Sequence, residues 1–585
     1  MYLYYARSAW EYIKLSIKIA IYKWMHRKVL RKILEEAKHK LDDNRGCTGQ
    51  LELSKVTISS QTEIGQTEES IEVPKQRAYT GSKPVISSSL ADIPCYCLGI
   101  QGLLDLLNST LGTSYTLDTG SLSPVLEDCI AKNYDLGTTY GRLRRTWDCD
   151  DIRKELLECE AKDRELRQKA VVGSRIVDPN TKPRRVWDLY SNRVVPWWCC
   201  KVRYRSQPIS HAWVDEVDRV DMWTPINGRE WPVPIPKGAS LDLIRIEMLN
   251  LGAEYAWLDV LCLRQRGGPR EDLHVEEWKL DVPTIGAIYR DARVVWYLSG
   301  LGLPLSLKEG DLESDRCWFR RAWTVQEVGL LRTIAGDTPD GPMHAEPIDK
   351  AGNYENEILT KLHKQLKSTP GMGDICGALS AMQHRKSTYP IDKIAGLAYS
   401  LWTTAIPAYY ESQSLEDAWT ALVNEMSTSV RGDLFFLYPE PGTGCVKWRP
   451  SWEQVMEKPP PESHMGFWFP NVERDDDDWC EVHCIERVFV HGLAVGGEEG
   501  INRCGELVVE DADGISHAFP IAASHQYPIP EDTYTLLGSW KHWVAGRRLP
   551  NKMFEKVSVF EIADYDEMER LHELGLPAES RSILA

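Results

Sequence analysis

Between residues 207 and 335, short and almost unbroken apolar runs alternate with amphipathic stretches, and no other feature constrains the fold as much. Residues 255–263 (Tyr-Ala-Trp-Leu-Asp-Val-Leu-Cys-Leu) and 293–298 (Arg-Val-Val-Trp-Tyr-Leu) read as strands covered on both faces. Residues 207–214 read as a strand ending in polar residues, and residues 332–335 as a last short strand. Residues 239–251, 275–291 and 317–332 carry helical periodicity; Ser240 is placed to cap the first, and Pro283 must break the second. Strand and helix in alternation predict an α/β fold with an open parallel sheet. Ligands in such sheets gather at the carboxyl ends of strands. Ser210 and His211, Asp259 and Gln265, and Ser299 fall at those ends.

The full chain of 585 residues is too long for one core, since domains usually hold roughly 100–200 residues. Texture divides it into a basic amphipathic helix (1–41), a disordered linker (42–90), a helical preface (91–182), the α/β segment (183–345), a helical region (346–445) and a β-rich, mixed C-terminal region (446–585) with a helical tail near 564–574. In residues 1–40, seven Lys and three Arg face three Glu, and Trp10, Ile13, Ile17, Ile21 and Trp24 recur at helical spacing. Two readings stand: a terminal helix packed on the body, or peripheral contact with an anionic membrane surface. Residues 42–89 are rich in Ser, Thr, Gln and Glu and too poor in large apolar groups to order themselves.

A net charge of −17 argues against a general binder of phosphate backbones, so no nucleic-acid partner is expected. No run approaches the roughly 18 apolar residues of a membrane span, and the apolar residues 19–22 fall short of a signal-peptide core. Fifteen cysteines without a repeating frame predict reduced thiols and a cytoplasmic location, membrane-associated if the basic helix binds lipid. Cys95/Cys97, Cys199/Cys200 and Cys480-Glu-Val-His-Cys484 lack zinc-site spacing, so no metal is expected. Ser299-Gly-Leu-Gly302 lacks the third glycine of a dinucleotide fingerprint, and the acidic run 475–478 reads as a solvated loop.

The segment Trp318-Phe-Arg-Arg-Ala-Trp-Thr-Val-Gln-Glu327 is denser in chemistry. Trp323 and Glu327, four residues apart, share one face of the expected helix. Either the carboxylate stands beside the indole and can touch a ribose or a developing cation, or Glu327 pairs with an arginine and Trp323 is core.

Four blocks then occur in an order that resembles the fungal heterokaryon incompatibility (HET) domain family. Ile209-Ser-His-Ala-Trp213 is similar to its first block, Trp257-Leu-Asp-Val-Leu-Cys-Leu-Arg-Gln265 to its second, Ile285-Gly-Ala-Ile-Tyr-Arg-Asp-Ala292 to its third and Arg321-Ala-Trp-Thr-Val-Gln-Glu327 to its fourth. Tyr389-Pro-Ile-Asp-Lys-Ile-Ala-Gly-Leu397 and Pro450-Ser-Trp452 resemble segments that follow the domain. Val260 stands where Ser is common and Arg264 where an acid is frequent. The resemblance implies a protein of non-self recognition and programmed cell death, with a core like the flavodoxin-like TIR domains. Many TIR domains cleave NAD⁺ at the nicotinamide–ribose bond with a Glu four residues after a Trp. On that likeness Glu327 is the catalytic acid and Trp323 walls the ribose or nicotinamide. Ser210 and His211 contact ribose or phosphate, Asp259 orients the site, and Arg320 or Arg321 meets the pyrophosphate. NAD⁺ is then a substrate, no cofactor is expected, and a protein partner or self-association is implied. The alternative is a non-catalytic, self-associating signalling module.

Overall fold

The computed structural model describes residue 79 and residues 81–585, apart from 201–205, 337–340, 368–374, 402, 462–468, 499–500 and 512. The expected basic helix and most of the expected linker lie outside the described residues. The described end of that linker is part of the body, against expectation. Ile86 and Ala91 are buried, Ser88–Ala91 is a helical turn capped by Ser87, and Tyr140 donates to the Pro84 carbonyl.

The preface is helical: α1 (Cys95–Leu111), α2 (Leu122–Ala131), α3 (Leu136–Leu143) and α4 (Ile152–Ala170). Asp135 and Asp151 accept N-terminal amides of α3 and α4, satisfying donors that a helix start leaves open. Two hairpin strands follow, β1 (Arg185–Asp188) and β2 (Arg193–Pro196). Helix α3 lies so close to β2 that a Cβ on Gly141 would meet Val195 at 2.9 Å. Arg144, just past α3, forks onto Asp188 at 2.8 and 3.0 Å and also pairs with Glu254, with the rings of Tyr190 and Tyr255 on it. The preface is thereby keyed to the sheet.

The α/β segment contains β3 (Gln207–His211), a ribbon of β4 (Arg219–Met222) and β5 (Val233–Pro236), α5 (Leu241–Asn250), β6 (Tyr255–Trp257), α6 (Asp259–Cys262), α7 (Asp272–Asp281), α8 (Ile285–Arg290), β7 (Arg293–Tyr297) and β8 (Leu331–Ile334). The sheet order is β8-β7-β3-β6-β1-β2. Strands β8, β7, β3 and β6 are parallel, while β1 and β2 are antiparallel. The sheet is therefore mixed rather than parallel throughout. Counting only the parallel strands along the chain, their spatial order is 2-1-3-4, and the direction of winding switches between β3 and β7.

Three local expectations fail for physical reasons. The apolar run 255–263 is a strand only through Trp257; the amides of Leu261 and Cys262 then turn back onto the Leu258 carbonyl to form α6. Apolarity reported burial there, not backbone type. Residues 317–332 are not a helix but two 3₁₀ turns, Trp318–Arg320 and Trp323–Val325. Arg321 is extended between them, bridging to Lys386, and the Thr324 hydroxyl donates to the carbonyls of Trp318 and Arg321, which share its proton. Ser240 occupies the cap position of α5 without a side-chain capping bond.

Further along come α9 (Glu357–Lys367), α10 (Ile375–Gln383), α11 (Asp392–Ala395), α12 (Leu415–Glu425), α13 (Thr428–Leu437) and α14 (Trp452–Glu457). The chain then turns to strands. Residues Asp478–His491, Arg503–Glu510, Ser516–Ala523, Phe554–Ile562, His542–Arg548 and Asp532–Ser539 pair in that order, and the last pairs back to the first. Six antiparallel strands thus close on themselves, which removes their edges. Val488, Leu507, Phe519, Leu536 and Phe560 are among the residues of a separate core. Lys556 is buried and donates to the Phe435 carbonyl at 2.6 Å, fastening the closed sheet to α13. Of the acidic run, Asp478 is not a solvated residue: it accepts from Arg431 and from Trp448. Cys480 and Cys484 are buried on a strand, and burial raises both thiols.

Candidate functional site

A cleft of about 320 Å³ opens beside the end of β3. The alternation of the strand decides what reaches it. Ser210 points beneath the cleft, 1% exposed, and His211 lines it. His211 Nε2 meets Asp259 Oδ1 at 2.9 Å, and its Nδ1 meets the Ala212 carbonyl at 3.3 Å. Both ring nitrogens face acceptors, so the imidazolium form satisfies both. Burial pulls the pKa of His211 down, but the charge and hydrogen bond of Asp259 outweigh it and raise it. Burial likewise pushes Asp259 up, while His211, the Val260 amide and Trp213 prevail and lower it. Asp259 Oδ2 also accepts the Trp213 indole at 3.3 Å, and Oδ1 accepts the Val260 amide of α6 at 2.7 Å.

Glu327 stands on the connection into β8, with its carboxyl half-buried at the cleft floor. Ser210 Oγ donates to Glu327 Oε2, and Trp318 Nε1 donates to Ser210 Oγ at 2.7 Å. Trp296 stacks on Trp318 at 4.1 Å and gives its own N–H to the Glu327 carbonyl at 3.2 Å. Two stacked indoles therefore hold the acid by its backbone and through its hydroxyl partner. Burial raises the Glu327 pKa to about 7, and Asp259 adds to the rise; Ser210, His211 and Arg385 act against it. No arginine forms an ion pair with Glu327 among the described residues.

Trp323 lines the cleft, although not through a shared helix with Glu327. Its indole N–H is directed to Asp392, whose Oδ1 accepts the Tyr409 hydroxyl at 2.7 Å. Asp392 is 5% exposed, and burial lifts its pKa to about 6. Arg321 lines the cleft, is lowered in pKa by burial, and forms no ion pair among the described residues. Arg320 is not brought to the cleft; it faces Asp315 at 3.9 Å on the outside of its turn. Ser210 is likewise corrected from a substrate contact to a residue that holds Glu327.

The cleft contains groups that sequence reasoning missed. Asp392 and Tyr389 belong to the segment 389–397, noticed as an outer likeness but assigned to a separate helical region. Arg219 and Asp221 come from the β4–β5 ribbon, where nothing in the local pattern marked them. Trp213, Trp257, Trp278, Trp323 and Tyr389 give the walls aromatic faces, and the acids sit among them. Such a site suits a flat cationic ring attached to a polar body. No group of three or more His, Cys, Asp or Glu able to hold a metal occurs among the described residues. No described helix is long and apolar enough to cross a membrane. Compared with protein-family models, curated proteins and solved structures, the chain matches none of them.

Proposed function

We propose that this chain is a HET-domain protein whose cleft cleaves NAD⁺ at the nicotinamide–ribose bond. The observation that carries the reading is the convergence of Glu327, Asp259, His211 and Trp323 on one open cleft, with no arginine in an ion pair with Glu327 among the described residues. The 2-1-3-4 order of the parallel strands supports a flavodoxin-like, hence TIR-like, core. Nicotinamide leaves with the electron pair of the C1′–N bond, because that pair neutralises its cationic ring nitrogen. The ribose is left oxocarbenium-like at C1′. The Glu327 carboxylate stabilises this positive charge as it forms, which lowers the barrier because the charge is larger in the transition state than in the substrate. Water then adds at C1′ and releases a proton. Trp323 packs against the departing ring, and Arg321 supplies a guanidinium for phosphate oxygens. The fourteen described cysteines form no disulfide with one another, as expected of a cytoplasmic protein. In the biological role implied by the family likeness, fusion of unlike cells would trigger NAD⁺ loss and death.

The test is NAD⁺ consumption by the full chain, dilute and self-assembled, against Glu327→Gln. Turnover in the wild type alone supports the reading. Equal turnover in both overturns the role of Glu327. No turnover in any assembly state favours the non-catalytic, self-associating module.

A further inference from the structure

A second cavity, of about 510 Å³, adjoins the cleft and shares Trp213 with it as a lining residue. Residues 212–214 after β3 and Leu298 and Ser299 after β7 border it. It therefore opens at the carboxyl ends of the two neighbouring parallel strands between which the winding switches, the crevice where open α/β sheets bind ligands. The cleft itself, at about 320 Å³, is at the low end of ligand sites. It has room for one nucleoside half of a dinucleotide.

The two cavities share one wall, the Trp213 indole. That indole is clamped: its N–H is on Asp259, His211 stacks at 5.7 Å, and the Arg219 guanidinium lies 5.8 Å from its ring. Arg219 faces the cleft, and its only ion-pair partner among the described residues is Glu216, 88% exposed, a pairing that water weakens. A diphosphate crossing the Trp213 ridge meets this guanidinium. Beyond the ridge, Leu303, Leu305 and Phe319 supply apolar surface, and the exposed ammonium groups of Lys237 and Lys308 take part in no ion pair among the described residues. The acids there are already engaged: Asp218 with Arg316 at 2.9 Å, and Asp311 with the Lys308 amide at 2.7 Å.

We propose that this second cavity binds the adenosine diphosphate half of a dinucleotide, laid over Trp213 so that Arg219 holds the diphosphate while the nicotinamide riboside half occupies the Glu327 cleft. The inference rests on the NAD⁺-cleaving reading for the identity of the ligand, but its test separates the two. Full-length wild type, Arg219→Ala, Lys308→Glu and Leu303→Trp are assayed on NAD⁺ and on nicotinamide mononucleotide, which lacks the adenosine half. ADP-ribose binding is titrated calorimetrically in each. Lys308 is exposed, so Lys308→Glu leaves folding intact. The expected result is a KM for NAD⁺ raised about tenfold with kcat little changed, as for loss of one charge-assisted contact. Leu303→Trp and Lys308→Glu leave the KM for nicotinamide mononucleotide unchanged, and all three variants weaken ADP-ribose about tenfold or more. Equal KM changes for both substrates in Leu303→Trp and Lys308→Glu, or ADP-ribose affinity untouched by all three variants, would overturn the proposal. If the wild type cleaves neither substrate, the catalytic reading fails, and the ADP-ribose titration alone decides the cavity: binding lost in the variants upholds it, and no binding to wild type overturns it.

Discussion

Ser210 gives its one hydroxyl proton to Glu327 and accepts the indole N–H of Trp318 on one of its lone pairs at 2.7 Å. The indole can only donate and the ionised carboxylate can only accept, and together they set the direction of this relay. Ser210→Ala removes the donor that lowers Glu327, so the rising limb of the pH profile of NAD⁺ cleavage should move above its wild-type position near pH 7. It also leaves the buried Trp318 N–H without an acceptor, costing about 1–3 kcal/mol in denaturant unfolding. A pH profile that stays in place would show that the bond does not tune the acid.

Glu327→Gln should lower kcat about 10²–10³-fold, as expected for removing one group that stabilises transition-state charge. Its effect on stability has the opposite sign. The folded pKa of about 7 lies above the ordinary 4.5, so the native state binds more protons than the unfolded state in between, and wild-type stability falls as pH rises from 4.5 through 7. Glutamine has no proton to lose. The difference in unfolding free energy should therefore move in favour of Glu327→Gln over this window, by on the order of 3 kcal/mol, and be flat above it. Buried Glu247, also raised to about 7 and bonded to Tyr297, contributes equally to both proteins and cancels.

Asp259→Asn should lower the pKa of His211, since burial then acts without the charge that outweighs it. Histidine titration by NMR reads this directly. The raised His211 stabilises the fold below pH 6.5, and that stability is lost as pH rises through its folded pKa. The lowered Asp259 stabilises above pH 3.8, and that stability is lost as pH falls through its folded pKa. The variant's deficit should therefore be widest between those limits and shrink on both sides.

Tyr409→Phe removes the 2.7 Å donor to Asp392 and should raise that acid above its value of about 6, at a cost of about 1 kcal/mol. Because Asp392 receives the Trp323 indole, the variant should also weaken binding in the cleft, read as a higher KM for NAD⁺. An unchanged KM would show that the 389–409 segment supports the fold but not the site.

Arg144→Met tests the joint between preface and sheet. It strands Asp188 and Glu254, both buried, without their cation, and urea unfolding should show a loss of about 3–5 kcal/mol. Replacing all three charged groups by apolar residues of similar volume should recover much of that loss.

The sequence by itself determined which stretches are buried and how they alternate. Runs such as 293–298 must be covered on both faces, and the strand–helix rhythm of 207–335 points to an α/β sheet. The positions of Ser210, His211 and Asp259 near strand ends were legible for the same reason. Tertiary structure decided the rest. It broke the expected 317–332 helix, because Lys386, distant in sequence, pairs with the extended Arg321 and local periodicity has no access to such a partner. It turned Arg320 outward and Arg321 inward, a choice set by that one extended residue. It brought Asp392 and Arg219 to the cleft from segments that carry no local sign of it. It also raised Glu327 to about 7, since a pKa depends on the burial and charges around the carboxyl, and these exist only once the chain has folded.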